Sequence, residues 1–359
     1  MDLSLIDEEE ALVATFDALF DKWASATTVR ESEELGFDER VWNQAVSAGA
    51  TAMSVASDGV DAASFFQLAL VAECSGRHLA PIPLVESMVA ARLIERSGHA
   101  EAATILHAIA EGTLIPTISL REPSGGVGGP GAPGAEREVR LVPAGAVAGL
   151  VLALDGDELV AVASAPPVVA RRNVGAMAIA HRSVSSGRRL VLGVGADARR
   201  AYEHALVEWK ALTAAALVGL SSSALSIGVQ YAKSRVAFGA PIATFQTVSH
   251  RLADRATAVD GARLLAYEAA WALDELPDRA GVLSSMAFCF AAETALDVTR
   301  DSLHYHGGYG FTIEYDIQLY FRRAKAWALV WGDPARERRR LAQQLFIEDR
   351  EGDHGLLAR

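Results

Sequence analysis

A long run of residues without proline, from 200 to 234, constrains the fold of this chain most. The run is rich in Ala, Leu and Val and contains only two glycines, which is the composition of a long buried helix. Arg235 follows directly, and Gly239 and Pro241 then end any helix. We therefore predict a long core helix that stops at an arginine.

The segment after this stop predicts a second helix that meets the first at a corner. It can begin near Thr244, whose hydroxyl would cap it. Phe245, Val248 and Leu252 then recur at spacings of three and four. The charged guanidinium of Arg235 would lie beside backbone N–H groups that carry partial positive charge, so the corner can bind a pyrophosphate. The alternative is a helical hairpin whose arginine makes a surface salt bridge.

The corner carries a recognisable motif. Its string RVAFGAPIATFQ, residues 235–246, closely resembles the RxxFGxPIxxFQ signature of acyl-CoA dehydrogenases. In that family the corner belongs to the FAD site. The resemblance implies that Arg235 binds the pyrophosphate, that Phe238 packs on the flavin nucleotide and that Gln246 hydrogen-bonds to it.

A second motif, HYHGGYGFTIEYDIQLYFRRAK at residues 304–325, resembles QxxGGxGFxxExxxxxxxRxAK of the same family. Gly307 and Gly308 allow the backbone to approach a ligand closely, although a plain glycine turn is the alternative. In the family this loop reaches the FAD of a neighbouring subunit, so the resemblance implies an oligomer. His304 replaces the usual glutamine and can still make one hydrogen bond. The motif residue Glu314 is expected to be structural.

Changes in composition divide the chain into three parts. Residues 1–113 show helical periodicity, residues 114–199 contain short Val, Ile and Leu runs broken by Gly, Pro and Asp, and residues 200–359 return to long helices. We therefore predict an α+β fold with an N-terminal helical domain, a small middle β domain and a C-terminal four-helix bundle, the domain order of the family. The strongest helical patterns in the first part cover residues 8–23, 61–79 and 84–94.

The overall composition favours a soluble enzyme subunit. A chain of 359 residues with 51% hydrophobic content can bury a large core, and a net charge of -12 argues against a nucleic-acid partner. Cys74 and Cys289 are far apart in apolar contexts, which predicts core thiols and no metal site. The acidic start and the absence of an uninterrupted apolar run of about 18 residues predict a cytoplasmic protein without a membrane segment.

The middle part departs from the family pattern. The family carries there a segment like TEPxxGSD, which covers flavin and substrate, followed by a tryptophan-containing strand beside the isoalloxazine ring. The nearest equivalent is LREPSGGVGGPGAPG, residues 120–134, in which Glu122 and Pro123 fit but Arg121 does not. No tryptophan occurs between residues 114 and 199. The resemblance therefore implies an incomplete pocket for the ring.

The catalytic base is the second departure. The family reaction needs a carboxylate to remove the α-proton of an acyl thioester while the flavin N5 accepts hydride from Cβ. Many members place it shortly after RxAK, where this chain has Trp331, with Asp333 two positions on. Others place it about 26 residues before the corner arginine, which falls on Trp209. The adjacent Glu208 would need a register shift to serve, and its alternative is an exposed helix carboxylate.

Retained nucleotide motifs and a lost base predict an acyl-CoA dehydrogenase subunit that completes an FAD site for a catalytic partner. The chain resembles the non-catalytic subunit of actinobacterial α2β2 acyl-CoA dehydrogenases, some of which act on steroid side-chain thioesters. The resemblance implies FAD, an acyl-CoA substrate and an electron-transferring flavoprotein as the candidate acceptor. Two alternatives stay open. One is a self-sufficient homo-oligomer whose base is Glu208 or Asp333, and the other is a scaffold without flavin or chemistry.

Several basic residues near the C-terminus have no nucleotide contact assigned to them by either motif. Lys325 and the run RERRR, residues 336–340, offer contacts to an acidic group such as a CoA phosphate or a partner protein. The alternative is a solvated helix face, which is the commoner role of such a run.

Overall fold

The computed structural model describes residues 4–56, 61–124 and 137–346. The fold class predicted from the sequence is confirmed, because a helical part, a small set of strands and a second helical part follow one another along the chain. The helix predicted over 61–79 begins only at Phe65, since Ser64 and Gln67 form a capping box there. The helices of the first part are α1 (Asp7–Trp23), α2 (Ala26–Glu31), α3 (Glu39–Ser47), α4 (Phe65–Arg77), α5 (Leu84–Ser97) and α6 (Ala102–Ala110).

Most strands of the middle part lie on the predicted apolar runs, whereas the strand Ala180–Ser183 (AHRS) contains His and Arg and lies outside them. They are β1 (Pro116–Ile118), β2 (Glu138–Val142), β3 (Leu150–Asp155), β4 (Glu158–Ala163), β5 (Ala180–Ser183) and β6 (Arg188–Val194). One sheet has the order β1-β3-β4-β6, with β1 and β3 parallel and the other pairs antiparallel. Strands β2 and β5 form a separate antiparallel pair. Buried Arg182 of β5 donates to the carbonyl oxygens of Gly145, Ala148 and Ser164, which ties this pair to the loops around the larger sheet.

The last part is the predicted helical bundle. Its 40-residue helix α7 begins at Gly195, five residues before the predicted start at 200, and ends at Ser234. Four long helices pack against one another, and a short hairpin and a final helix complete the chain. These elements are α7 (Gly195–Ser234), β7 (Val236–Ala237), β8 (Ala240–Pro241), α8 (Gln246–Glu275), α9 (Pro277–His306), α10 (Ile317–Trp331) and α11 (Pro334–Phe346).

Within the described residues, two helices are long and apolar enough to span a membrane by length and composition alone. They are Gly195–Ser234 and Pro277–Phe311, the second being α9 with the turn that follows it. In the most apolar stretch of 18 residues of each helix, 67% and 61% of the stretch is buried inside the protein. Burial of this extent is what the core of a helical bundle requires. Cys74 and Cys289 lie in this core as predicted, and burial raises the pKa of their thiols to about 12 and about 11.

Helices α4 and α7 cross where each presents a glycine to the backbone of the other. A Cβ on Gly76 would lie 1.9 Å from the carbonyl oxygen of Ala216, and a Cβ on Gly219 would lie 1.9 Å from that of Glu73. No side chain fits at such a distance, so the helices approach this closely only because both positions lack one. The crossing fixes α7 against the N-terminal domain.

Replacing Gly219 by alanine is therefore expected to lower the free energy of unfolding by about 1 to 3 kcal/mol, because the crossing must open to admit a methyl group. Gly281→Ala in α9 is the matched control, since its Cβ would meet nothing closer than Val207 Cγ2 at 3.9 Å. That control should stabilise the helix by about 0.5 to 1 kcal/mol. Urea unfolding followed by circular dichroism measures both, and an unchanged midpoint for Gly219→Ala would contradict the close crossing.

Candidate functional site

The corner predicted after α7 is a tight hairpin with an exposed aromatic side chain at its tip. Strands β7 and β8 pair Val236 with Pro241 and Ala237 with Ala240, so Phe238 and Gly239 form a two-residue turn. Both have left-handed backbones, with φ of 55° and 81°. This is the pattern of a type I′ turn, in which a phenylalanine is strained. The Phe238 side chain is nonetheless 98% exposed, with the Phe245 ring edge-on to it at a centroid distance of 6.2 Å, so burial within this chain offsets little of the strain.

Arg235 follows the last residue of α7 and has an extended backbone. Among the residues that the structure describes, no carboxylate lies within 4 Å of its guanidinium, so the alternative of a surface salt bridge is not observed there. Helix α8 begins at Gln246, whose side chain is exposed, and no described side chain caps this N-terminus. The predicted cap by Thr244 is wrong, because its hydroxyl donates to the carbonyl oxygen of Pro241 at 2.7 Å in a 3-10 turn.

The glycine loop lies directly after α9. Gly307 has φ of 62°, which favours glycine, and a Cβ on Gly307 or Gly308 would meet nothing within 4 Å among the described residues. His304 is exposed in the last turn of α9. The loop is joined to the corner because Tyr231, near the end of α7, stacks on His306 with ring centroids 3.9 Å apart. The fold thus brings the two motifs to the same end of the bundle, with open space over both glycines.

Large apolar side chains are exposed around both motifs. We call the set Phe238, Phe245, Tyr309, Phe311 and Ile313 the apolar rim; their exposed fractions are 98, 37, 58, 68 and 76%. Single exposed apolar residues are ordinary, but a concentration of them on two segments is typical of a surface that binds another molecule.

Trp209 and Trp331, at the two positions where the family places its base, stack on each other. Their ring centroids are 5.8 Å apart and their planes differ by 21°. The Trp331 Nε1 donates to Glu337 at 2.9 Å, and Lys210 pairs with the same carboxylate at 2.7 Å while lying 5.0 Å from the Trp331 ring. The indole pair is therefore held in place from several sides, and it contributes no proton acceptor at either position.

Glu208, the neighbour of Trp209, is fully buried in an ion-pair cluster. Arg92 donates to one of its oxygens at 2.9 Å, and Arg96 donates to both, at 2.6 and 2.9 Å. Burial would raise the pKa of this carboxyl, but hydrogen bonds from His204 and Arg96 and the charges of both arginines lower it to about 2. So acidic a group is a poor base near neutral pH. The interpretation of Glu208 as an exposed carboxylate is therefore wrong, and its lowered pKa and its arginine contacts argue against a role as the base.

Asp333, the other candidate base, is exposed and starts α11. Its carboxylate accepts from the backbone N–H of Ala335 at 3.0 Å, and its carbonyl oxygen accepts from that of Arg336 at 2.9 Å. These are the contacts of a helix-capping residue. The structure therefore gives Asp333 a structural role, as it gives to Glu208.

A cavity of about 100 Å³, which we call the inner cavity, lies where the N-terminal helices, the middle domain and the bundle meet. Trp209, Met177, Arg323 and Glu86 are among its lining residues. Pockets that bind drug-sized ligands usually measure about 300 to 1,000 Å³. The inner cavity is therefore too small for a flavin ring together with an acyl chain.

Two carboxylates near the indole pair escaped the sequence analysis. Glu86 is the only carboxylate lining the inner cavity within the described residues; Trp209 Nε1 donates to it at 3.5 Å, and burial raises its pKa. Glu337 is buried although it lies in the basic run 336–340. The available signal for Glu86 was its position as the acidic residue of the first turn of α5. Nothing local distinguished Glu337 from its exposed neighbours.

The described residues fit the nucleotide end of FAD but not its ring. Arg235, the N-terminus of α8 and the open space over Gly307 and Gly308 provide donors and room for phosphates. On the Trp209 side of the indole pair the space is much smaller, because the inner cavity measures about 100 Å³. Residues 125–134 of the flavin-covering segment lie outside the described residues, while Glu122 accepts from Arg199 at 3.0 Å.

Several known proteins resemble this chain in sequence and in fold. Residues 199–346 match the family model "Acyl-CoA dehydrogenase, C-terminal domain". The acyl-CoA dehydrogenase IpdE2 of Mycolicibacterium smegmatis is 32% identical over 348 residues, which cover 95% of this chain and 99% of that protein.

Two solved structures share the fold and about a quarter of the sequence. The ChsE4-ChsE5 complex from Mycobacterium tuberculosis has a TM-score of 0.81 at 26% identity, covering 96% of this chain and 99% of the other. The Tcur3481-Tcur3483 steroid ACAD has a TM-score of 0.78 at 25% identity, covering 94% and 97%. FAD, the cofactor predicted from the motifs, is the cofactor of these enzymes' family. With a full-length relative and a matching C-terminal domain, the chain belongs to the acyl-CoA dehydrogenase family.

Proposed function

We propose that this chain is the non-catalytic subunit of a heteromeric, FAD-dependent acyl-CoA dehydrogenase. It contributes nucleotide contacts to an FAD site, while a homologous partner supplies the base and the ring pocket for α,β-desaturation of an acyl-CoA thioester. The stacked indoles of Trp209 and Trp331 carry this proposal, because they fill both positions where the family places its base. The small inner cavity supports it independently.

Specific residues of this chain would hold the cofactor. Arg235 would pair with the pyrophosphate, Phe238 would pack on the nucleotide, and Gln246 would hydrogen-bond to it. His304, Gly307 and Gly308 would contact the FAD shared with a neighbouring subunit. Bound FAD supplies the acceptor for hydride from the substrate's Cβ. The exposed apolar rim supports the subunit contact, since cofactor and partner together would cover it.

The nature of partner and substrate is proposed from the relatives. The ChsE4-ChsE5 structure is described as a complex, and the Tcur3481-Tcur3483 structure as a steroid ACAD. By analogy we propose an α2β2 assembly and a steroid side-chain thioester as substrate. A cytoplasmic location and an electron-transferring flavoprotein as acceptor belong to the same proposal.

The test is flavin content. The chain is expressed alone and together with a homologous acyl-CoA dehydrogenase subunit of the same organism, and flavin absorbance is followed across a sizing column. We expect the lone chain to be colourless and the mixed complex to contain about one FAD per heterodimer, because each site needs both subunits. A yellow lone chain with one FAD per subunit that desaturates an acyl-CoA would contradict the proposal.

That contrary outcome would favour the self-sufficient enzyme, and the structure names the carboxylate to test in that case. Glu86 faces the inner cavity and burial raises its pKa, as expected of a general base. Glu86→Gln would then abolish turnover in the lone chain and leave its flavin content unchanged. In the heteromeric enzyme the same substitution should not remove the chemical step.

A further inference from the structure

Two segments of this acidic chain contain no carboxylate. Residues 159–196 lead from β4 into the first turn of α7 and contain five arginines. Residues 317–332, which form α10 and the glycine after it, contain two arginines and a lysine. The chain as a whole has a net charge of -12. These two segments therefore concentrate positive charge in a protein that is otherwise strongly acidic.

The two segments meet where a loop of the first lies against α10. A Cβ on Gly175 would lie 2.3 Å from the Cβ of Ala326, so only a glycine allows this approach. Arg322 of α10 donates to the carbonyl oxygen of the residue before Gly175 at 3.4 Å. Lys325 and Leu329 follow Arg322 at spacings of three and four, which places them on the same face of the helix. The loop and this face of α10 therefore form one continuous surface.

Six exposed residues of this surface are apolar or positively charged. In the described part of the chain, no carboxylate lies within 4 Å of Arg171, Arg172 or Lys325. By contrast, the two arginines of α10 share the carboxylate of Glu33. The three unpaired cations lie among exposed valine and leucine side chains. We call this set the basic surface: Val168, Val169, Arg171, Arg172, Lys325 and Leu329.

The loop of the basic surface is held in place by its own hydrogen bonds. The Asn173 Nδ2 donates to the carbonyl oxygens of Arg171 and Met177 at 2.8 and 2.9 Å, and its Oδ1 accepts from two backbone N–H groups of the loop. Val168 has φ of 53°, which is strained for a β-branched residue, and its N–H donates to Ala146 at 2.9 Å. An exposed apolar loop that is already fixed loses little conformational entropy on binding, as a docking surface requires.

The start of α1 carries the opposite charge. Residues 4–21 contain six carboxylates and no Lys, Arg or His. Ile6, Asp7, Glu8 and Glu10 are exposed, and within the described ranges no basic side chain lies within 4 Å of these three carboxylates. Acidic residues in a first turn stabilise the helix dipole, but this leaves the exposed Ile6 unexplained. An apolar side chain beside unpaired carboxylates is the chemical complement of the basic surface.

We propose that the start of α1 of one copy of this chain docks on the basic surface of a second copy, with the reverse contact closing a two-fold dimer. The exposed isoleucine packs against Val168 and Val169, and the carboxylates beside it pair with the three cations. Within one chain the two surfaces do not pair, since no ion pair joins them among the described residues. A net charge of -12 opposes an anionic membrane, because a polyanion meets the acidic remainder of the protein as well.

Self-association of the full chain tests this proposal. Sedimentation velocity is followed from about 1 to 200 µM protein at about 50 and about 500 mM salt, and we expect a reversible dimer that weakens as salt screens its exposed ion pairs. Arg171→Glu/Arg172→Glu should weaken the dimer by about tenfold or more. Arg338→Glu/Arg339→Glu makes the same change in net charge at two adjacent exposed arginines of α11, and should alter the dimer less than about threefold.

An exchange of charges makes the test specific. Glu8→Arg/Glu10→Arg should weaken the dimer as the reversal at Arg171 and Arg172 does. Both reversals combined in one chain should restore association to within about threefold of the parent, because each pair of charges again meets its opposite. Glu8→Arg/Glu10→Arg combined with the α11 control should restore nothing, although the net charge is the same. Circular dichroism verifies that each variant is folded.

Several results would overturn the proposal. They are a parent chain that stays monomeric at the highest concentration, equal loss in the α11 control, and failure of the exchanged charges to restore the dimer. A dimer that is lost in Phe238→Ser but kept in Arg171→Glu/Arg172→Glu would place self-association on the apolar rim. A monomeric parent that binds phosphatidylglycerol vesicles through these arginines would make the basic surface a membrane contact.

The contact uses neither the apolar rim nor the flavin motifs, so it is independent of the proposed function. Flavin content of the complex with the homologous subunit should therefore be the same for the parent and for Arg171→Glu/Arg172→Glu. The dimer is measured on the lone chain, so either proposal can fail while the other stands.

Discussion

Replacing Glu208 by glutamine is expected to lower the free energy of unfolding by about 3 kcal/mol at pH 7. The substitution removes a fully buried negative charge and leaves Arg92 and Arg96 facing a neutral amide. Breaking a buried ion pair from one side typically costs about 3 to 5 kcal/mol. The lower end applies here, because the arginine side chains are 18% and 30% exposed and can recruit water.

The stability lost in Glu208→Gln should be largest at neutral pH and should shrink as the pH falls. The pKa of Glu208 is lowered from 4.5 to about 2 in the folded protein, so its contribution is fully present above about 4.5. It is lost as the pH falls through about 2, where folded and unfolded chains both bind the proton. A difference of about 2.5 pKa units corresponds to roughly 3 kcal/mol, in agreement with the value expected from the ion pair.

Urea unfolding at pH 7 and at pH 4 and below measures this difference between parent and Glu208→Gln. The control is Glu293→Gln, the same substitution in an ion pair with Arg338 whose side chains are 65% and 50% exposed. It should cost less than about 1 kcal/mol. Equal unfolding midpoints of Glu208→Gln and the parent at neutral pH would show that the cluster does not stabilise the fold.

Replacing Arg235 by alanine is expected to weaken FAD binding to the assembled complex by about 10- to 150-fold. The guanidinium is exposed, has no carboxylate partner among the described residues and lies at the corner that precedes α8. A charge-assisted hydrogen bond contributes about 1.5 to 3 kcal/mol, and each 1.4 kcal/mol is a factor of ten in affinity. Arg235→Lys keeps the positive charge but not the paired donors of the guanidinium. Its affinity for FAD should therefore lie between those of the parent and of Arg235→Ala.

Flavin absorbance per heterodimer after gel filtration reports this loss, and fluorescence titration with FAD quantifies it. Lys233→Ala is the matched control. Lys233 is exposed and lies two positions before Arg235 in the last turn of α7, so its replacement also removes one positive charge near the corner. It should leave flavin content unchanged. If Arg235→Ala retains the flavin content of the parent complex, the chain is a scaffold and the partner alone binds FAD.

Local features of the sequence were sufficient for the secondary structure and for the family. The apolar runs of the middle part became strands, and the proline-free run became α7, because periodicity and breakers act within a few residues. The corner and the glycine loop were recognised because each motif is contiguous. The start of α8 was misplaced, since Thr244 could satisfy either a helix cap or the carbonyl oxygen of Pro241.

The sequence by itself thus determined the fold class, the nucleotide motifs and the absence of a carboxylate at both family positions. Only the tertiary structure decided what occupies those positions, because Trp209 and Trp331 come from different helices and meet through packing alone. The same holds for Glu208, whose arginine partners lie 112 and 116 residues away along the chain. Burial and ion pairing set the chemistry of such groups, and both are properties of contacts between distant segments rather than of any local pattern.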